Sequence, residues 1–439
     1  MVFVRVWKIA TKMPLRCDTV LSRLALILAF TLGSVAISLS SFAVEPSAPQ
    51  YLLFQFFLGG PDPPSGIYHK NRSKDDILRM ARDAANAARP ARRDPNRILG
   101  FAVGPIAMDQ GEDDARSVIR DAFDIAWETD MAVALHLDDY MFWAQARLPD
   151  GRLLRGVEGT TEWKDWLETP AQGLEIGWLP NVKLAPQICY ESPKVKEFAT
   201  YWTKDVIGQE VKRQFDRFVQ AGKAKLFAGI IAGWESNLAY GYCSLWRLGY
   251  SAQNPPADFD HEREQVLQRH IERWAKGISD AGIPRDLIFT HLAPIPKRDY
   301  DKLTAMLPRS RIREIPQSTA FRAFWTAFNP YSSPGFGGYL GDDDRYKDIY
   351  EAVRTYGRGS WAMAEGTNVI LGAPPKRSPL AWETYLARSF NHGARIVDLF
   401  GGFQGEGAGE FGRSTESEQA VAAYRKFLQG DPLVEDQKE

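Results

Sequence analysis

Along this chain short apolar runs alternate with longer stretches in which apolar residues recur at helical spacing. The run Tyr51 to Leu58 predicts a first strand. Arg97 to Val103, Met131 to Leu137, Lys225 to Ala232 and Asp286 to Thr290 predict the second to fifth, Thr319 to Phe328 the sixth, and Ser360 to Ala364 and Arg395 to Phe400 the last two. Helical patterns fill the intervals. Ser73 stands as an N-cap with Asp75 and Asp76 in the first turn, and Val118, Ala122, Ile125 and Ala126 mark one face of a helix over Asp113 to Glu128. Further helices are predicted over Pro193 to Gln220, Asp260 to Asp280, Asp299 to Leu307, Asp344 to Tyr356, Pro379 to Phe390 and Glu416 to Leu428.

Eight strand–helix pairs in one chain predict the α/β class and, within it, a (β/α)8 TIM barrel. An open doubly wound sheet is the alternative, but it carries a glycine-rich turn after its first strand, and Gly59-Gly60-Pro61 does not match that fingerprint. Loop lengths favour the barrel. Helix-to-strand connections are short, as at Thr129-Asp130 or Gly357-Arg358-Gly359. Strand-to-helix connections are long: Asp138 to Ser192, Ser236 to Phe259, Asn329 to Asp343 and Gly401 to Thr415. In a barrel all the latter lie on the C-terminal face, where chemistry is done, so length invested there predicts a substrate site. These loops hold Trp143, Trp163, Trp166, Trp178, Tyr190, Trp234, Trp246 and Tyr331. Rings of this kind either stack on the apolar faces of sugars or pin long loops to the barrel.

The first segment reads as a leader rather than as part of the fold. Arg5, Lys8, Lys12, Arg16 and Arg23 precede an apolar run from Leu24 to Ile37, and Ser41-Phe42-Ala43 offers small residues at a cleavage site. The run is shorter than the ~20 residues a spanning helix needs. The domain expectation is therefore a signal peptide over 1–43, a barrel over 44–429 and a polar, frayed tail over 430–439, with a secreted or periplasmic location and no membrane partner after cleavage. With 54 basic against 55 acidic residues and no basic stripe, a nucleic-acid partner is not expected. Cys189 and Cys243 remain after the leader, and in an oxidising compartment they either pair or stay as two buried thiols.

Glycosidic bond cleavage needs two carboxyl groups, one to protonate the leaving oxygen and one to attack the anomeric carbon or activate water. Glu235 ends strand four in Gly233-Trp234-Glu235-Ser236-Asn237, and Glu365 ends strand seven in Ala364-Glu365-Gly366-Thr367-Asn368. Strands four and seven stand nearly opposite in an eight-stranded ring, and a Glu after a buried strand is costly unless it is paired or used. At the end of strand three, two-residue periodicity puts His136 and Asp138 on one face, with Asp139 beside them. Asp138 or Asp139 suits a hydroxyl-binding role. Gln55, Trp234, Asn237, Trp325 and Asn368 complete the substrate-contact candidates.

Around Gly233–Asn237, Ala364–Asn368 and Phe390–Gly402 the chain resembles the clan of retaining (β/α)8-barrel glycoside hydrolases. The resemblance implies a glycosidase acting on a β-linked oligo- or polysaccharide without a cofactor, with Glu235 as acid/base and Glu365 as nucleophile. On those roles Glu235 should hold the higher pKa. One position departs: the clan usually has Asn before the acid/base Glu, and here that residue is Trp234. Barrel glycosidases of the β-amylase type, with glutamates at the same two strands, invert rather than retain. Two other readings compete. Glu235, His291, Glu365 and Asp398, all near strand ends, form a ring able to take a divalent ion. Alternatively, the aromatic loops bind glycan and the barrel does no catalysis.

Overall fold

The computed structural model describes residues 48–435, except for 63–64, 176–181, 239–240, 295–322, 340–342, 358, 369–380 and 405–408. The expected leader (1–43), Trp178 and the expected helix 299–307 therefore lie outside the described residues.

Eight parallel strands form one sheet: β1 (Gln50–Phe57), β2 (Arg97–Ile106), β3 (Ala132–Leu137), β4 (Phe227–Ala232), β5 (Ile288–Thr290), β6 (Gly335–Tyr339), β7 (Trp361–Thr367) and β8 (Ala394–Phe400). They are hydrogen-bonded in the order β6-β7-β8-β1-β2-β3-β4-β5. The two ends of that series meet through the parallel bridges Phe289↔Ser333 and Leu292↔Phe336, which close the ring. The predicted barrel is thus the observed one.

Strand alternation sorts the core into two layers. Tyr51, Leu53, Ala102, Ala132, Ala134, Ala228, Phe289, Ala362 and Ile396 fill the inside of the ring. Their neighbours, such as Leu52, Phe54, Val133 and Val397, face the helices. Those helices include α1 (Lys74–Ala88), α2 (Glu112–Thr129), α3 (Pro193–Tyr201), which runs on through a π-helical turn (Trp202–Gly208) into α4 (Gln209–Gln220), α5 (Tyr242–Arg247), α6 (Phe259–Asp280), α7 (Asp343–Tyr356), α8 (Trp382–Phe390), α9 (Gly409–Thr415) and α10 (Glu418–Gln429). α1 starts as expected at Ser73: its hydroxyl accepts from the Asp76 N–H at 3.2 Å, and the Asp76 carboxylate accepts from the Ser73 N–H at 3.1 Å, a reciprocal cap.

The sixth strand lies elsewhere than expected. The aromatic stretch assigned to it ends in a 3-10 turn, Phe324–Ala327, packed on α6 by a Trp325 Nε1 hydrogen bond to Glu264 at 3.1 Å. The strand itself is glycine-rich (Gly335-Phe336-Gly337-Gly338-Tyr339) and its composition reads as a loop. Packing explains it: a Cβ on Gly335 would sit 2.0 Å from the Thr290 carbonyl oxygen of the neighbouring strand. Gly335→Ala is expected to destabilise the fold by about 1–3 kcal/mol, because the obstacle is backbone that cannot move aside; a denaturant midpoint equal to wild type would contradict that. The tail also differs. As far as Glu435 it is held down: Arg97 donates to the Asp431 carbonyl at 3.0 Å, the Val434 N–H donates to Glu383 at 2.8 Å, and Leu433 is buried.

Candidate active site

The inward-facing positions of the strands change character toward their C-terminal ends. Two residues beyond an apolar layer residue stands a polar one: Gln55 after Leu53, His136 after Ala134, His291 after Phe289, Asp398 after Ile396. All four are fully buried. Glu365 breaks this parity, since Ala362 faces inward and strict alternation would turn residue 365 outward. A register shift on both sides of β7, between Phe336 and Gly337 of β6 and between Met363 and Gly366 of β7, brings it in. This is the usual work of a β-bulge beside a site, the re-aiming of one side chain.

Glu235 reaches the same end of the barrel by a different device. Gly233, at φ 119°, turns the chain out of β4, and a Cβ there would lie 2.4 Å from Ser236 Oγ. Glu235 itself has φ 52°, the left-handed region that side chains other than glycine avoid. Three hydrogen bonds to one carboxylate secure this turn. Asp139 accepts from the Trp234 N–H at 3.0 Å, from Ser236 Oγ at 2.7 Å and from His270 Nε2 at 3.1 Å. The Glu235 N–H donates to His291 Nδ1 at 3.2 Å, and the Ser236 N–H donates to the His291 carbonyl at 3.0 Å.

The two central histidines touch, His136 Nε2 lying 2.9 Å from His291 Nδ1. Since His291 Nδ1 accepts from Glu235, we assign the shared proton to His136 Nε2. Burial, and then the neighbouring His291, hold the His136 imidazole well below its ordinary range, so it is neutral. Its contact with Asp398, 3.8 Å from Nδ1 to Oδ2, is therefore polar rather than ionic. Trp234 stacks on His136, with centroids 4.1 Å apart and planes 20° from parallel. Glu365 is 2% exposed, and its carboxyl is pushed well above the ordinary range, by burial first, then by the charges of Glu235 and Asp398, with the Gln55 amide opposing. Burial alone raises Asp398, and neither of its oxygens has a hydrogen-bond partner among the described residues. The cluster thus combines two glutamates, the charge of one acting on the other, two imidazoles and an acid without a hydrogen-bond partner among the described residues, contributed by five different strands or strand ends. It can hold and transfer a proton. His136, His291 and Glu365 also have ligand atoms within 4.8 Å of one another, so they could hold a cation.

The sequence candidates divide into three groups. Gln55, His136, Glu235, Glu365 and Trp234 belong to the cluster. Asp138 and Asp139 sit at its edge with their oxygens committed to the fold. Asp138 caps its own loop, accepting from the N–H groups of Met141 at 3.0 Å and Phe142 at 2.6 Å, and burial, then Asp139, raise it to about 7. Asn237 and Asn368 are buried in the adjoining loops, the Asn237 carbonyl accepting from Tyr190 Oη at 2.5 Å. Trp325 is apart, lining a cavity with Arg285, Phe328 and Tyr356 that includes none of the cluster. Several loop aromatics pack on one another: Trp163 meets Trp246 edge-on at 4.9 Å, Trp166 meets Tyr242 at 5.0 Å, and Trp143 is buried with its Nε1 on the Pro186 carbonyl. Sequence reasoning missed His270 and Ser236. The side chains of both act through Asp139, a residue distant from them in the chain.

No family model matches the chain, and no curated protein matches it. Among solved structures, the catalytic domain of β-amylase from Paenibacillus polymyxa aligns over 88% of this chain and 99% of its own, at 10% identity and a TM-score of 0.45. A GH5-4 broad-specificity endoglucanase from an uncultured bacterium covers 85% and 93%, at 8% identity and 0.43. A sugar phosphate isomerase/epimerase from Parabacteroides distasonis covers 88% and 97%, at 10% identity and 0.36. Likeness at this level assigns no reaction, which has to come from the side chains.

Proposed function

We propose that this chain is an exported glycoside hydrolase, secreted or periplasmic, that cleaves a β-linked oligo- or polysaccharide with Glu235 and Glu365. The observation that carries this reading is the pair itself. Two glutamates from β4 and β7 converge at the C-terminal end of the barrel, one of them on a strained turn and the other turned inward by a bulge, and the charge of Glu235 helps to raise the Glu365 carboxyl. Glycoside hydrolysis asks for two carboxyl groups of which one is protonated. Burial puts that proton on Glu365, which makes Glu365 the acid that protonates the leaving oxygen and half-buried Glu235 the group that attacks the anomeric carbon or activates water. These roles are the reverse of those the clan resemblance implies. His136, held neutral under Trp234, and Asp398, with no hydrogen-bond partner among the described residues, are positioned to meet sugar hydroxyls.

Hydrolysis of a panel of plant and microbial oligosaccharides tests this, with wild type, Glu235→Gln and Glu365→Gln assayed with and without chelator. Chelator-resistant turnover lost in both variants is the expected result. The pH–rate profile of the residual activity assigns the roles: the basic limb reports the general acid and should vanish in Glu365→Gln. Its loss in Glu235→Gln instead would restore the roles of the resemblance. A second reading, a metal-dependent hydrolase or isomerase, draws on the His136–His291–Glu365 convergence. The direct imidazole–imidazole hydrogen bond, which uses a nitrogen of each ring, weighs against it. Turnover abolished by chelator would select it, and glycan binding without turnover would select a binding barrel.

A further inference from the structure

We propose that Cys189 and Cys243 are joined by a disulfide that staples the loop after β3 to the loop after β4, the one that carries Glu235. The two Sγ atoms lie 2.9 Å apart, closer than unbonded heavy atoms of this kind rest, which even for carbon is about 3.5–4.0 Å. Both cysteines are fully buried, and the only other cysteine of the chain is Cys17 in the leader, so each has the other as its partner among the described residues.

The surroundings hold the two sulfurs together without help from a bond. The Cys189 N–H donates to the Thr160 carbonyl at 2.8 Å, and the Ser192 N–H donates to the Cys189 carbonyl at 3.1 Å, which fixes one side. Glu162, on the same loop and fully buried, accepts from the Ser244 N–H at 3.1 Å and from the Ser244 hydroxyl, which fixes the start of α5 and hence Cys243. Tyr190, next to Cys189, donates to the Asn237 carbonyl at 2.5 Å. A bond formed here needs the two sulfurs to close from 2.9 Å to about 2.05 Å. It closes a ring of chain from 189 to 243 that contains α3, α4, β4 and Glu235.

The chemistry is thiol–disulfide exchange with a low-molecular-weight disulfide such as oxidised glutathione. The thiolate of one cysteine attacks the reagent disulfide and releases one reagent thiolate. The second cysteine, as thiolate, attacks the mixed disulfide and releases the other. Two electrons pass to the reagent, which leaves as two thiols carrying the two protons. Burial pushes the Cys189 thiol up in the folded protein, so exchange belongs to folding, before the loops close over the pair. Glu162, Cys189 and Cys243 also offer a zinc-like ligand set, with ligand atoms within 4.8 Å of one another, and the test separates the two.

The test is peptide mapping of the whole chain after equilibration and refolding in a glutathione redox buffer, with alkylation before digestion and no reductant. The expected result is a linked peptide pair containing Cys189 and Cys243 that is 2 Da lighter than its reduced parts. Reduction, or the double variant Cys189→Ser/Cys243→Ala, should lower Tm by roughly 5–10 °C and speed thermolysin cleavage within 236–259. Both cysteines alkylated after the oxidising treatment would overturn the proposal, whether or not one equivalent of zinc accompanies them. The mapping is done on wild type, so it decides the matter even if the variant does not fold. Since it reads sulfur chemistry rather than turnover, it is independent of the glycosidase reading.

Discussion

Glu365→Gln is expected to lower turnover about a thousandfold while raising Tm at pH 8 by roughly 3–8 °C. Both effects have one cause. The Glu365 carboxyl lies among Glu235, Asp398 and the barrel wall, where ionisation is disfavoured. An unfolded glutamate releases its proton near pH 4.3, whereas this one keeps it to higher pH in the folded state. Between those two values the native protein binds more protons than the unfolded chain, so its stability is full below the ordinary carboxylate range and declines as pH rises through the folded value. The same sign holds for Asp109, raised to about 6, and Asp138, raised to about 7. Buried His136 and His270, both lowered, act with the opposite sign, adding stability as pH climbs toward about 6.5. The diagnostic quantity is therefore a difference. Glutamine mimics the protonated acid, so the Tm gap between variant and wild type should be small at pH 5 and open toward pH 8. A gap that does not change with pH would mean that the folded protein ionises Glu365 normally.

Removal of one carboxylate that never meets the substrate should cost almost as much activity. Asp139→Ala leaves the Trp234 N–H, the Ser236 hydroxyl and His270 Nε2 without their acceptor in a fully buried place. The expected destabilisation is about 3–5 kcal/mol. Glu235 would lose the brace that keeps its backbone left-handed, a conformation that costs on the order of 1–3 kcal/mol when unsupported. Asp139 is a positioning residue, so kcat should fall while the ordinary value of KM is largely kept, and Asp139→Asn, which retains one acceptor oxygen, should recover part of both stability and rate. Wild-type melting of Asp139→Ala would show that the clamp carries no load.

Much of the barrel is legible in the chain, because its strands are apolar on both faces and its helices carry caps and stripes. Period-two alternation places His136 inside from Ala132 and Ala134 alone, and Gln55 inside from Tyr51 and Leu53. The same alternation from Ile396 puts Asp398 in the pocket wall, though a single acid within a strand also reads as an anchor for a neighbour. Two features resist this kind of reading. Glu365 faces inward only because β7 is bulged, and a bulge depends on the register of two neighbouring strands, which local composition does not encode. β6 hides behind its glycines: their function is to let backbones approach, and propensity counts them against a strand. The role of Asp139 was equally out of reach, because its partners Ser236 and His270 lie far along the chain and become neighbours only once the barrel has closed.

That closure has a soft joint. Seven of the eight strand pairings are ladders, while β5 and β6 meet, among the described residues, through two isolated bridges and four backbone hydrogen bonds: Thr290 to Ser333, Leu292 to Gly335, Ser333 to Ile288 and Gly337 to Leu292. A closed ring of springs deforms first at its weakest member. Shear between neighbouring strands in this ring is therefore cheapest where His291 and Gly337, the register partner of Glu365, face each other. The mouth of the barrel is in effect a split collar, and its compliance is concentrated beside the acid that the proposed chemistry requires.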